Sequence, residues 1–96
     1  MPKFKDKYHP GVKKDLKKID KPINLEIKNF YIPKILNDPY NSEELKGDLT
    51  GIRSYHFKQD NVNYRISYLI YDTENIVYIL MIRKRENFYK ILRRRF

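Results

Sequence analysis

The sequence contains no cysteine and only two histidines among its 96 residues. Without cysteine the chain can form neither a disulfide framework nor a zinc site built on thiolates. His9 and His56 are then the only imidazole groups that could bind a metal ion. We therefore expect neither a structural metal nor a cofactor.

Long apolar runs are also missing from the sequence. No run approaches the roughly 20 apolar residues that a helix needs to cross a membrane. The first six residues, MPKFKD, lack the apolar stretch of a secretory signal. We therefore expect a cytoplasmic protein with no membrane partner.

The composition is that of a chain that folds around one core. Hydrophobic residues make up 41% of the chain, and nine tyrosines and five phenylalanines argue against a disordered polyelectrolyte. A chain of 96 residues is long enough for one core and too short for two independent domains. We expect a single α+β domain spanning residues 1–96.

Positive charge is abundant and unevenly distributed. The 21 lysines and arginines exceed the 12 acids by nine, and residues 83–96 hold seven basic residues against the single acid Glu86. Such a field favours phosphate polymers, acidic proteins or anionic membranes as partners. Arginines offer planar donor pairs for phosphate oxygens, and nearby tyrosines offer rings for unpaired bases, so single-stranded RNA fits this combination well.

The N-terminal half has the periodicity of amphipathic helices. Residues 3–8 predict a short strand, after which Pro10 favours the first turn of a helix. A second helix is predicted from Asp20, as the N-cap, toward Leu36, with a kink or an early end at Pro33. The predicted apolar stripes are Val12, Leu16 and Ile19 in the first helix and Ile23, Ile27 and Phe30 in the second.

From residue 52 the period changes to two, which is typical of half-buried strands. Three antiparallel strands are predicted at residues 52–58, 63–71 and 76–83, joined by turns at residues 59–61 and 72–75, after an ordered connector at residues 40–51. In the second strand, Arg65 lies on the face opposite Ile66, so one face can pack helices while the other keeps a polar groove. A short helix and a basic tail are predicted after Arg83.

Three motifs follow one another in the second half of the sequence: Leu45-Lys46-Gly47-x-Leu49-x-Gly51-x-Arg53-Ser54-Tyr55-His56, Asn63-Tyr64-Arg65-Ile66-x-Tyr68 and Arg83-x-Arg85-x-x-x-Tyr89. In order and spacing they resemble the RelE/ParE toxin superfamily, and in particular RelE-like and YafQ-like toxins. The resemblance implies a β-α-α-β-β-β-α fold, in which two N-terminal helices pack on a mainly antiparallel sheet that is followed by a short C-terminal helix.

The resemblance also implies a toxin that enters the ribosomal A site and cleaves messenger RNA without a metal ion. A base takes the ribose 2′-OH proton, the oxygen attacks the adjacent phosphorus, and an acid protonates the leaving 5′ oxygen. Arg65 matches the family's phosphate-stabilising arginine. Arg83 and Arg85 match basic positions for leaving-group protonation and phosphate contact, with either one as the acid. Tyr89 matches the aromatic residue that stacks on or orients the nucleotide, or else it anchors the last helix.

His56 departs from relatives that carry lysine at this position and agrees with the Gly-x-Arg-x-x-His pattern of the YafQ-like branch. An imidazole with an ordinary pKa of about 6.5 can accept a proton at neutral pH. His56 is therefore the candidate general base, and the alternative for a lone strand histidine is a structural role.

Further basic residues could bind the RNA backbone or ribosomal RNA, although a charged run is often only a solvated face. The tail of residues 93–95 is expected to serve docking alone. The candidates for RNA binding are Lys46, Arg53, Lys58, Lys84, Lys90, Arg93 and Arg94.

The expected partners are messenger RNA, the ribosome with its small-subunit RNA at the A site, and a cognate antitoxin in a hetero-oligomer. An acidic or amphipathic antitoxin segment could neutralise the basic groove. Two alternatives remain: a ParE-type inhibitor of DNA gyrase with the same fold, and an inactive homologue that binds RNA or antitoxin. The five catalytic candidates favour the nuclease, because a gyrase poison needs no cluster of phosphate-handling groups.

Overall fold

A five-stranded sheet in the order β1-β5-β4-β3-β2 organises the computed structural model, which describes residues 3–95. The strands are β1 (Lys5–Tyr8), β2 (Glu43–Glu44), β3 (Arg53–Gln59), β4 (Val62–Tyr71) and β5 (Ile76–Lys84). β1 pairs parallel with β5, and the other pairs are antiparallel. The predicted α+β fold is confirmed, with the two-residue strand β2 added inside the segment predicted as a connector.

Helices pack against both faces of this sheet. They are α1 (Val12–Lys17), α2 (Lys21–Glu26), a π-helical segment (Ile27–Tyr31), α3 (Ile32–Asn37) and α4 (Phe88–Arg95), with a short 3₁₀ turn at Gly47–Leu49. Residues of α1 to α3 share a core with one face of the sheet. Residues of α4 and of the 40–51 segment share a second core with β5 and Ile52. Among residues 3–95, no helix has the length and apolar character needed to cross a membrane.

The second predicted helix contains a widened turn. The N–H of Ile32 donates to the carbonyl of Ile27, five residues back, and Pro33, which has no N–H to donate, follows directly. The buried residues of this helix are therefore five positions apart, at Ile27 and Ile32. The prediction that Phe30 lies on the buried stripe is wrong, since this residue is 52% exposed. Tyr31 lies on the sheet side instead, where its ring stacks on Phe57 with centroids 4.0 Å apart.

The register of the central strands comes from a tight turn and a bulge. Asp60 and Asn61 have φ values of 50° and 64° between the paired residues Gln59 and Val62, as a type I′ hairpin turn requires. Consecutive residues of β4, Ser67 and Tyr68, pair with residues 81 and 79 of β5. Leu80 is therefore an additional residue in β5, which forms a β-bulge. This bulge reverses the alternation of β5 in the middle of the strand.

A buried carboxylate joins α1, β5 and α4. β1 ends at Tyr8, and beyond that point the N–H of Ile82 donates to Asp15 Oδ2 at 3.1 Å instead of to a strand. Arg95 donates to both oxygens of Asp15, at 2.6 and 2.9 Å, and to the carbonyl of Leu80 at 2.9 Å. The prediction that the last arginines serve docking alone is therefore wrong for Arg95.

Gly11 leaves the space that this ion pair occupies. A Cβ atom at residue 11 would lie 2.7 Å from Arg95 Cζ, which is closer than van der Waals contact allows. Any larger residue at this position would have to displace the guanidinium, so glycine serves close approach here rather than a special backbone conformation.

We expect Asp15→Asn to lower the free energy of unfolding by about 3–5 kcal/mol, because it leaves a partly buried guanidinium without its charge partner. Asp48→Asn is the matched control, since Asp48 pairs at the exposed surface with Arg93, which lies in α4 like Arg95. Urea denaturation of both variants measures the difference. Equal losses in the two variants would contradict the assigned role of Asp15.

Candidate functional site

Three of the predicted catalytic residues form a row across the sheet. His56 of β3 pairs in register with Arg65 of β4, which pairs in register with Arg83 of β5. Paired residues on adjacent strands, which are about 4.8 Å apart, direct their side chains to the same face. Residues that are 9 and 18 positions apart in the sequence thus lie side by side.

Tyr89 joins this row from the first turn of α4. Its ring centroid lies 4.8 Å from Arg65 Cζ, within the range of a cation–π contact. Phe88, which is 1% exposed, fixes the start of the helix in the second core, and Asn87 takes the positive φ of 54° that turns the chain there. The ring therefore holds the Arg65 guanidinium over the open part of the sheet.

His56 has a depressed pKa. Partial burial is the largest cause, and the neighbouring Arg65 guanidinium lowers the pKa further, whereas Glu43 raises it. Glu43 pairs with Ser54, two residues before His56, and therefore lies diagonally across β2 and β3 on the same face. With a pKa below 6.5, the imidazole is neutral at pH 7 and can accept a proton.

The two candidate arginines at the end of β5 have different surroundings. Arg83 lies in the row, with a side chain that is 26% exposed and an Nη1 atom 3.9 Å from Asp15 Oδ1. Arg85 follows the end of the strand and is exposed, and its backbone N–H donates to the carbonyl of Asn63 at 2.9 Å. Arg83 thus belongs to the row, and Arg85 lies at its margin.

A groove of about 490 Å³ continues from Tyr89. Lys46 and Arg93 line it together with Glu43 and Glu44, and Arg93 Nε donates to Asp48 at 2.8 Å. A larger apolar groove of about 950 Å³ lies between α1 and the α2–α3 helix, and none of the catalytic candidates lines it.

The remaining RNA-binding candidates are separated by the structure into two groups. Arg53 donates to the carbonyls of Tyr40 and Ser42 at 3.1 and 2.7 Å and lies 3.7 Å from Glu44, so it holds the segment after α3. The others lie exposed around the sheet and α4 and are Lys58, Lys84, Lys90 and Arg94.

Asp15 and Glu43 are the site neighbours that the sequence analysis did not identify. Asp15 had a detectable signal, because it falls three residues after Val12 and four before Ile19, on the apolar face of α1. Glu43 had none, since its position depends on the short pairing of β2. Across residues 3–95, no cluster of three or more histidines or carboxylates could hold a metal ion.

The comparisons with known proteins agree with this fold. Residues 7–93 match the model of a family described as ParE-like toxin of type II bacterial toxin-antitoxin system. No curated protein sequence matches the chain.

Solved structures of RelE toxins are similar to the chain. The RelBE2 toxin-antitoxin complex from Mycobacterium tuberculosis has 23% identity and a TM-score of 0.77, over 88% of this chain and 100% of that one. A free Escherichia coli RelE with two arginines replaced by alanine has 18% identity and a TM-score of 0.73, over 99% and 98%. The archaeal RelE-RelB complex from Pyrococcus horikoshii has 21% identity and a TM-score of 0.60, over 88% and 97%. The expected RelE-like fold is thereby confirmed.

We expect the His56 imidazole to titrate below pH 6.5, and we expect Arg65→Gln to raise its pKa by removing a neighbouring cation. An NMR titration of the ring protons measures both effects, with the second histidine assigned through His9→Gln. Lys58→Gln, which removes a positive charge elsewhere on β3, is the control and should move the titration less. A pKa that is unchanged by Arg65→Gln would show that the two side chains do not interact.

Proposed function

Since the chain belongs to the ParE-like toxin family of type II bacterial toxin-antitoxin systems, within the RelE/ParE superfamily, we propose that it cleaves messenger RNA in the ribosomal A site. The observation that carries the proposal is the row of His56, Arg65 and Arg83 with Tyr89 packed on Arg65. A base, a phosphate-binding cation and an aromatic ring are thus adjacent on one open face. These are the groups that RNA cleavage by the neighbouring 2′-OH requires.

His56 acts as the general base in this proposal. Its neutral imidazole takes the proton of the ribose 2′-OH, and the oxygen forms a bond to the adjacent phosphorus. The bond to the 5′ oxygen then breaks and leaves a 2′,3′-cyclic phosphate on the upstream fragment. A depressed pKa suits this role, because the imidazole does not need to lose a proton first at neutral pH.

Arg65 binds the scissile phosphate and stabilises the charge that collects on its oxygens in the transition state. The Tyr89 ring limits the rotamers of the guanidinium through the contact at 4.8 Å, so the donors are oriented before the RNA arrives. The other face of the phenol ring offers a surface on which a nucleotide base can stack.

Arg83 and Arg85 share the remaining roles, which are phosphate contact and proton donation to the leaving 5′ oxygen. Arg83 is next to Arg65 and suits phosphate contact. Arg85 lies at the margin, where an RNA strand leaving the row would pass it. Either guanidinium can donate a hydrogen bond to the leaving oxygen through one of its five N–H groups, and a water molecule bound there supplies the proton that this oxygen takes up.

Docking of the RNA and of the ribosome depends on the wider basic surface. Lys46 and Arg93 line the groove beside Tyr89 and can follow the phosphates away from the site. The exposed cations around it add sequence-independent attraction and are Lys58, Lys84, Lys90 and Arg94. Arg53 is less suited to this surface, because its Nη1 donates to two carbonyls of its own chain and its Nη2 lies 3.7 Å from Glu44.

A cognate antitoxin is the second partner in the proposal. Two of the similar structures are complexes of a toxin with its antitoxin. The surplus of nine positive charges suits an acidic or amphipathic segment that covers the row and forms a hetero-oligomer. A toxin that acts on ribosomes works in the cytoplasm.

Inhibition of DNA gyrase is the second candidate function, and the ParE-like description of the matching family favours it. This activity needs the fold but not the row of phosphate-binding side chains. An inactive homologue that only binds RNA or antitoxin would keep the row and lack cleavage.

We expect the purified protein to cut messenger RNA only in the presence of ribosomes, as measured by primer extension. Arg65→Ala should lower the single-turnover rate by about a hundredfold or more with the fold intact, because one donor to a developing anion contributes about that much. Lys7→Ala, a charge loss on the far edge strand, is the control for net charge.

Absence of ribosome-dependent cuts by the wild-type protein would refute the nuclease function. Accumulation of cleaved gyrase–DNA complexes with intact message would select gyrase inhibition instead. Binding of RNA without cleavage and without gyrase damage would select the inactive homologue.

We expect the single-turnover rate to rise with pH and to reach a plateau near neutrality. The active form of a general base is deprotonated, so the midpoint should lie below pH 6.5, where the His56 pKa lies. His56→Ala should remove this dependence and slow the chemical step more than binding. A midpoint above pH 7, or a normal rate for His56→Ala, would exclude His56 as the base.

A further inference from the structure

Asp15 lies within reach of two arginines that come from different parts of the fold. Its carboxylate, 1% exposed, accepts two hydrogen bonds from Arg95 of α4, at 2.6 and 2.9 Å. Arg83 of β5 approaches the same carboxylate with Nη1 at 3.9 Å from Oδ1, beyond hydrogen-bond distance. Arg95 is therefore the bound partner, and Arg83 is the nearby one.

A buried carboxylate requires a positively charged partner. Removing one partner leaves a charge whose desolvation is uncompensated, so the next available cation is drawn to it. Arg83 is that cation, because its guanidinium is already 3.9 Å away and its side chain is attached beside Ile82, whose N–H donates to Asp15.

Arg83 thus has two possible positions. Its backbone lies in register with Arg65, where its guanidinium can reach a phosphate held in the row. In the other position, its guanidinium would close the remaining distance to Asp15 and donate to the carboxylate directly, which ties it to the edge of the sheet. Arg95 compensates part of the charge of Asp15. The part that remains determines how strongly the position at Asp15 competes with the position in the row for the Arg83 guanidinium.

We propose that Arg95 is a positioning residue: by neutralising Asp15 it keeps the Arg83 guanidinium available to the row of His56 and Arg65. The rate measurements that test this inference rest on the proposed nuclease function. The position of the Arg83 guanidinium rests on geometry alone. The last turn of α4 thereby controls a side chain at the end of β5 without touching the RNA itself.

Loss of Arg95 should therefore reduce the maximal cleavage rate. A charge-assisted hydrogen bond between Arg83 and Asp15 would lower the population of available Arg83 by about ten- to a hundredfold. In Arg95→Ala we expect a fall of this size in the single-turnover rate, with little change in the ribosome concentration that gives half the maximal rate. Lys7→Ala, an equal charge loss on the far edge strand β1, should leave both the maximal rate and that concentration nearly unchanged.

The double variant Asp15→Asn/Arg95→Ala separates positioning from simple destabilisation. Asparagine keeps an acceptor for the Ile82 N–H and has no charge to attract Arg83. We expect the double variant to recover most of the cleavage rate that Arg95→Ala loses. Continued loss in the double variant would overturn the proposal, because no buried charge remains to hold Arg83.

Gly11→Ala provides a second variant in which every charge is retained. Its Cβ would lie 2.7 Å from Arg95 Cζ and should displace the guanidinium from Asp15. We expect a rate loss that Asp15→Asn again reverses. This pair remains informative if Arg95→Ala does not fold, and circular dichroism before each assay identifies variants that do.

The Arg83 Nε–Hε resonance in a nitrogen–proton NMR spectrum tests the same point without activity. It should shift in Arg95→Ala and in Gly11→Ala and return toward its original position in Asp15→Asn/Arg95→Ala. An unchanged resonance in Arg95→Ala would overturn the proposal even if the wild-type protein cleaves RNA. A wild-type protein that cleaves no RNA, together with the expected shifts, would refute only the nuclease function.

Discussion

The fold is closed at one edge by a single carboxylate. Beyond the end of β1, no neighbouring strand among residues 3–95 can accept a hydrogen bond from the N–H of Ile82 at the edge of β5. Asp15 of α1 accepts this hydrogen bond in place of a strand carbonyl. Burial of that charge then requires a cation, and Arg95 supplies it from the end of α4. One side chain therefore determines where the first helix, the fifth strand and the last helix meet, and the open face of the sheet ends where α4 begins.

The candidate site depends on register more than on any single motif. The two-residue turn at Asp60 and Asn61 fixes His56 opposite Arg65. The bulge at Leu80 then reverses the alternation of β5, so that Arg83 faces the same side as Arg65 while Ile79 and Ile82 both remain in the helical core. A regular β5 would not combine these two placements. Two local irregularities, both remote from the chemistry, thus align the row.

Much of this could be predicted from the sequence. Period-two alternation separated Arg65 from the core face, and the motif series identified the RelE-like fold and the residues of the row. The widened turn before Pro33 and the bulge at Leu80 could not be predicted, because each adds one residue to an otherwise regular pattern. Arg95 was indistinguishable from its neighbours in a basic run, since its role depends on a carboxylate 80 residues earlier in the chain.

The expectation that charged side chains are exposed is also wrong at Asp15, for a physical reason. Carboxylates are normally exposed, so an acid on the apolar face of a short helix reads as an imperfection of the pattern. Only the approach of two arginines and a strand N–H from distant segments makes its burial favourable. Sequence patterns describe one element at a time, whereas this carboxylate of α1 is stabilised by groups from two other elements, β5 and α4.

Helix α4 carries Tyr89 in its first turn and Arg95 in its last, and each of them contacts a different part of the sheet. Arg95 follows Tyr89 by six positions, which corresponds to about 9 Å along the helix axis and to a fixed rotation. Inserting or deleting one residue between them would rotate one contact by about 100° relative to the other, so both could not form together. The two contacts therefore constrain the length of α4 independently of the identity of the side chains between them.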